Sequence, residues 1–182
     1  MANPHLISFD FDPRTFVPID GYVCFSDAPE MRRTGVYLWC IELPSGFLVN
    51  YVGKASRPTG IRRRLAEELE YWRSGVDPRS VDVDLFLRGQ RRLISPRPAG
   101  YMARELEVLG KAYRLFAAHV DTDADCKRIE SSLVSRLSAN PSCKQFLANY
   151  RPDSYRHPPD LQLEIRSRHP IIGLTVDAPD LS

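Results

Sequence analysis

Four cysteines, Cys24, Cys40, Cys126 and Cys143, are scattered over 182 residues with no CxxC pair and no histidine at ligand spacing. The pattern excludes a disulfide framework and a zinc module, and the thiols are expected to be reduced. Long apolar runs are missing too: stretches such as 35–41 (GVYLWCI) fall far short of the ~20 residues that cross a bilayer. The opening segment MANPHLISFDFD carries acids where a secretory signal has basic and apolar regions. A soluble, cytoplasmic protein with no membrane attachment is therefore expected. There is no internal repeat or low-complexity run, and 43% hydrophobic residues is ordinary for a globular chain, which excludes wholesale disorder. Lysine is scarce: only Lys54, Lys111, Lys127 and Lys144 stand among the 25 basic side chains. Arginine's planar fork suits phosphate recognition, although genome composition can produce the same bias.

The formal net charge of +2 is a sum over unlike regions. Residues 1–30 hold five acids against Arg14, net −4, and 151–182 hold five acids against four arginines, net −1. The body at 31–150 carries twenty basic and thirteen acidic side chains, net +7. A basic body between acidic arms points to a polyanionic partner.

Three parts follow: an N-terminal arm (1–33), a body (34–150) and a proline-rich C-terminal extension (151–182). Residues 35–42 and 47–53, joined by Pro44-Ser45-Gly46, read as an antiparallel hairpin rich in aromatic and β-branched residues. Ile61, Leu65, Leu69 and Trp72 recur at helical spacing and predict a helix over 60–74. Alternation predicts a strand at 81–88, and 88–104 then holds five arginines and no acid, a candidate phosphate-facing loop. A short helix at 101–109 and a strand at 112–120 come next. Thr122 with Asp125 resembles a capping box opening a helix to about 138, and 143–149 add a further turn. Ile7, Phe9 and Phe11 near the start, and Leu161, Leu163, Ile165, Ile171, Ile172 and Leu174 in the tail, predict edge strands that can pair with each other. The fold class is α/β of the α+β kind: a small, mainly antiparallel sheet, with the hairpin and a third strand at its centre, flanked by helices and extended by N- and C-terminal edge strands.

One residue breaks the apolar pattern. At ~100° per residue, Cys126, Ile129, Leu133, Val134 and Leu137 form one arc, and Glu130 falls inside it. Burying an unpaired charge costs several kcal/mol, so Glu130 must meet a basic partner, a metal or a solvated pocket. On the earlier helix Arg63 lies opposite the apolar stripe while Arg62 and Arg64 flank it, within reach of the sheet edge. Tyr37 and Tyr51 sit in the hairpin strands, where tyrosine is ordinarily core filler with a satisfied hydroxyl.

Taken together, these residues resemble the GIY-YIG endonuclease family: Gly35-Val36-Tyr37, then Tyr51-Val52-Gly53-Lys54, then Ile61-Arg62-Arg63-Arg64-Leu65 opening a helix, then Arg128-Ile129-Glu130. The resemblance covers about 34–150. It implies that Tyr37 and Tyr51 are the motif tyrosines, Gly35 and Gly53 the structural glycines, and Arg64 the first-helix arginine, with Arg62 and Arg63 as fallbacks. It implies Glu130 as the metal ligand and Asn149, in preference to Asn140, as the closing asparagine. The implied activity is metal-dependent hydrolysis of phosphodiester bonds, with Mg²⁺ or Mn²⁺ as cofactor and nucleic acid, double-stranded DNA above all, as partner, in a repair or restriction setting. In that scheme Tyr37 acts as general base, with Lys54 or Arg64 supplying the nearby positive charge a phenol needs at neutral pH. Arg64 binds the scissile phosphate, Tyr51 orients water or phosphate, and Asn149 hydrogen-bonds within the site. Lys54, Arg62, Arg88, Arg91, Arg92 and Arg97 would track the backbone. A nucleic-acid-binding module without catalysis is the alternative, and a purely structural domain would pair Glu130 with an arginine and bury both tyrosines.

Overall fold

The computed structural model describes residues 5–9, 16–19, 22–25, 29–56, 60–73, 80–86, 88, 93–94, 113–144, 146–147, 149 and 161–175. In chain order these form β1 (His5–Phe9), β2 (Phe16–Ile19), β3 (Tyr22–Phe25), a 3₁₀ turn (Pro29–Arg32), β4 (Gly35–Leu43), β5 (Gly46–Ala55), α1 (Gly60–Arg73), β6 (Ser80–Val81) and α2 (Val83–Phe86). They continue with β7 (Leu93–Ile94), β8 (Tyr113–His119), α3 (Asp123–Ala139), α4 (Pro141–Lys144), β9 (Leu163–Ser167) and β10 (Ile171–Ile172).

The predicted hairpin is the centre of a four-stranded sheet in the order β10-β5-β4-β8, antiparallel except where β10 runs parallel to β5. Side chains alternate across β4. Val36, Leu38 and Cys40 join Val52, Phe116 and Ala118 under Cys126, Ile129, Leu133 and Leu137 of α3. Tyr37 faces the other way and packs with Leu115, Ala117, Met31 and the α1 residues Ile61 and Leu65, with Trp39 and Tyr51 beside them. The sheet thus lies between α1 and α3. Both helices form where the apolar spacing predicts, and α3 opens on Thr122, whose Oγ1 accepts the Asp125 amide at 3.0 Å.

The arms dock as the alternation suggests. β1 pairs with β9 in parallel, His5 opposite Leu163, and Ile7 and Phe9 are buried in the larger core. The later tail segment instead extends the main sheet, Ile171 and Ile172 lying against Phe47 and Leu48.

One prediction needs correction. Residues 81–88 are not a continuous strand: only Val81 remains in β6, and α2 occupies 83–86. The local cause is Asp82, whose Oδ1 accepts the Leu85 amide at 3.1 Å and caps the turn, a stronger local preference than the alternation of Val83, Leu85 and Leu87. Within the arginine-rich segment, Leu93–Ile94 pairs with Ser80–Val81. The predicted helix at 101–109 lies outside the described residues.

Candidate active site

Register explains the motif. Tyr37 pairs directly with Gly53, and Trp39 with Tyr51, so two tyrosines and a tryptophan occupy one face of the hairpin. The Tyr37 ring lies across Gly53 so closely that a Cβ there would overlap its ring and hydroxyl atoms. Gly35 plays the same part against the neighbouring strand, where a Cβ would overlap the Ala118 carbonyl oxygen. Both glycines are therefore demanded by close approach. The Tyr37 and Tyr51 ring centroids stand 6.4 Å apart at 45°.

The two tyrosines converge on a carboxylate absent from the set read off the sequence. Tyr37 donates to Glu68 Oε1 at 2.5 Å, and Tyr51 donates to the same oxygen at 3.4 Å. The Trp39 indole also donates to Glu68. Arg64, one turn earlier on α1, places Nη2 3.4 Å from that oxygen and Nη1 3.8 Å from Glu67. The Arg64 side chain is 43% exposed, whereas Tyr37 is completely buried and the Glu68 side chain only 20% exposed. The sequence held only a weak signal for Glu68: on the helical wheel of α1 it lies about 20° from Ile61, at the margin of the apolar stripe on the Arg64 side.

These contacts shift the titration of the groups they join. Burial pushes the Tyr37 phenol far above its ordinary range, and the charges of Glu68 and Tyr51 push it further, while Arg64 opposes them weakly. The positive charge of Arg64 is thus outweighed by burial and by Glu68, and the Tyr37 hydroxyl donates to Glu68 in this arrangement. Burial also raises the Glu68 carboxyl, opposed by its hydrogen bond from Tyr37 and by Arg64. At Arg64 desolvation works against the cation, but Glu68 and the two tyrosines outweigh it.

Glu130 is half-buried on α3, as its place in the apolar arc requires. It makes no hydrogen bond or ion pair with any described residue, but lies within electrostatic reach of Lys54, Glu68, Arg64 and Lys127. Burial raises its carboxyl; Lys54 and Arg64 act against the shift and Glu68 adds to it. Among the described residues there is no group of three His, Cys, Asp or Glu that could cage a metal. A lone, partly buried carboxylate does suit a hard divalent ion that keeps most of its waters, so Glu130 fits the Mg²⁺ or Mn²⁺ expected there.

Asn149 reaches the site through the backbone. Its Oδ1 accepts the Val52 amide at 2.9 Å and its Nδ2 donates to the Val52 carbonyl at 2.7 Å, so both ends of the amide are committed beside Gly53. It positions β5 instead of offering its amide to the reacting groups. A second asparagine helps: the register shift between Trp39 and Cys40 leaves Asn50 as a bulge, buried, with its Nδ2 donating to the Phe146 carbonyl at 2.6 Å. Asn140 is the C-cap of α3.

Of the remaining expected residues, Lys54 faces the Glu130 side of the site, and Arg62 is half-buried on the first turn of α1. Arg63 pairs with Glu67 at 3.3 Å on the solvated face, as its wheel position predicts. Arg88 is exposed after α2, and Arg91, Arg92 and Arg97 lie outside the described residues. No described helix is long and apolar enough to cross a membrane. Compared with models of known protein families, with curated proteins and with solved structures, the chain matches none.

Proposed function

We propose that the chain is a metal-dependent endonuclease of the GIY-YIG type that hydrolyses phosphodiester bonds in DNA. The observation that carries the reading is the placing of Glu130: a partly buried carboxylate, unpaired among the described residues, within electrostatic reach of Arg64 and Lys54 and of the carboxylate that ties the two motif tyrosines together. The arginine-rich body, net +7 over 31–150, supplies the attraction for a polyanion.

Each group has a task. Arg64 is exposed enough to exchange its contact with Glu68 for a phosphate oxygen, where its fork stabilises charge growing in the transition state. Tyr37 acts as general base towards the attacking water, giving up its own hydroxyl proton along its hydrogen bond as it does so, Tyr51 fixes the direction of approach, and Gly53 leaves room for the Tyr37 ring. Asn149 and Asn50 hold β5 in register. A divalent ion held by Glu130 would supply Lewis-acid stabilisation of the phosphoryl and leaving oxygens. The complete burial of Tyr37 favours a second reading, a DNA-binding module that no longer cleaves.

Plasmid DNA incubated with Mg²⁺ or Mn²⁺ separates the two. Cleavage is expected, with Glu130→Gln and Arg64→Ala slower by about 100- to 1,000-fold at unchanged circular dichroism. Retention of DNA without cleavage would support the binding module, and full activity in either folded variant would sink the assignment.

A further inference from the structure

Glu68 gathers donors from three elements: Tyr37 and Trp39 from β4, Tyr51 from β5 and Arg64 from its own helix. A carboxylate buried to four-fifths at the margin of an apolar stripe is an expensive way to fill space, because an apolar residue of the same size would pack there without desolvating a charge. We propose, resting on the nuclease reading, that Glu68 is the terminal acceptor of a two-proton relay through Tyr37. As water attacks phosphorus, its proton passes to Tyr37 Oη while the phenolic proton passes to Glu68 Oε1.

The step balances. The water O–H bond breaks and its oxygen forms the new P–O bond. The P–O bond to the leaving oxygen breaks, and its electron pair leaves with that oxygen, which takes a proton from solvent. Tyr37 ends the step neutral, as it began, and Glu68 ends as a carboxylic acid that returns its proton to water after product departs. The geometry selects the partner: Tyr37 stands 2.5 Å from Oε1, Tyr51 at 3.4 Å, so Tyr37 carries the proton and Tyr51 steadies the acceptor. A relay also removes the need for a free phenolate, which the burial of Tyr37 denies at neutral pH. Among the described residues, the titratable groups that bear most on Glu68 are Tyr37 from β4, Tyr51 from β5 and Arg64 from α1, with Glu130 of α3 within electrostatic reach. Because Glu68 acts through Tyr37 and not on the reacting atoms, it is a positioning residue.

The test is single-turnover cleavage of a labelled DNA duplex with Mg²⁺ or Mn²⁺ as pH is varied, for the wild type, Glu68→Gln, Glu68→Asp, Tyr37→Phe and the Tyr37→Phe/Glu68→Gln pair. Glutamine keeps the hydrogen bond but cannot take the proton. Glu68→Gln should lose about 100-fold or more at neutral pH with KM unchanged, and lose the limb in which the rate rises as a carboxyl ionises. Aspartate should restore that limb and part of the rate. On the Tyr37→Phe background Glu68→Gln should cost nothing further. Wild-type rate and profile in Glu68→Gln, or losses that add fully in the pair, overturn the relay. A faster Glu68→Gln also overturns it, making Glu68 a plug in the phosphate site. Should the glutamine variant not fold, Glu68→Asp decides, and an acid limb that does not move with the substitution overturns the relay. If the wild type cleaves, Glu130→Gln does not and Glu68→Gln is unimpaired, the relay falls alone; if the wild type cleaves nothing, the nuclease reading falls and the relay with it.

Discussion

The two faces of the β4–β5 hairpin alternate residue by residue, yet one is insulated and apolar and the other gathers polar groups round a carboxylate. Beneath α3 the face is Val36, Leu38, Cys40 and Val52, apolar and closed. Beneath α1 it is Tyr37, Trp39 and Tyr51 around Glu68, with Arg64 open to solvent at the rim. The difference teaches that one strand pair can separate a sealed apolar core from a polar cluster, because the period of two sends neighbouring residues to opposite environments. Substitutions on the two faces should therefore fail in different ways.

The largest effect is expected beneath α3. Leu133 is fully buried there, and Leu133→Ala should cost about 3 kcal/mol in urea unfolding through lost contacts and the cavity left behind. The folded fraction should keep the wild-type pH profile of cleavage; a changed profile would mean that the faces are coupled. Gly53→Ala attacks the other face. Its new methyl must displace the buried Tyr37 ring, at a cost of about 2–3 kcal/mol, and here activity should fall with stability because Tyr37 leaves Glu68. Asn149→Ala should cost about 2 kcal/mol, one for each hydrogen bond to Val52, with a partial loss of rate as β5 loosens. An unchanged melting temperature would show that Val52 is held by other contacts.

The insulated face is also the one the sequence discloses most fully. Hydrophobic period, the Thr122 cap and the turn at Pro44–Gly46 are local signals, and they placed the hairpin, α1, α3 and the buried set on α3. The pairing of the N-terminal arm with the tail was legible from alternation, but the parallel register of β10 on β5 was not, since sequence carries no record of which edge a short strand joins. Arg64 and the tyrosines stood out on the polar face and Glu130 on α3, whereas Glu68 looked like one more acid in an acidic run (Glu67, Glu68, Glu70), and its hydrogen bond is to a partner thirty-one residues away. Asn50 was hidden for a similar reason: a bulge is a mismatch between two strands, and neither strand shows it alone.

The smallest effect gives the sharpest comparison, because it should have the opposite sign. Glu130 is the proposed metal ligand and sits on the insulating helix, where burial raises its carboxyl above the ordinary value of 4.5. The native state then binds more protons than the unfolded chain between that value and the raised one, so wild-type stability falls as pH climbs through this window. Glu130→Gln carries no such charge. Without divalent ions its melting temperature should match the wild type at low pH, where both side chains are neutral, and exceed it increasingly as pH rises to neutral. Added Mg²⁺ should reverse the order, since an ion that binds only the native carboxylate stabilises the wild type and leaves the variant unchanged. A Glu130→Gln protein less stable than wild type at neutral pH in chelator would show that Glu130 is held by an ion pair, and the carboxylate would then belong to the insulated face after all.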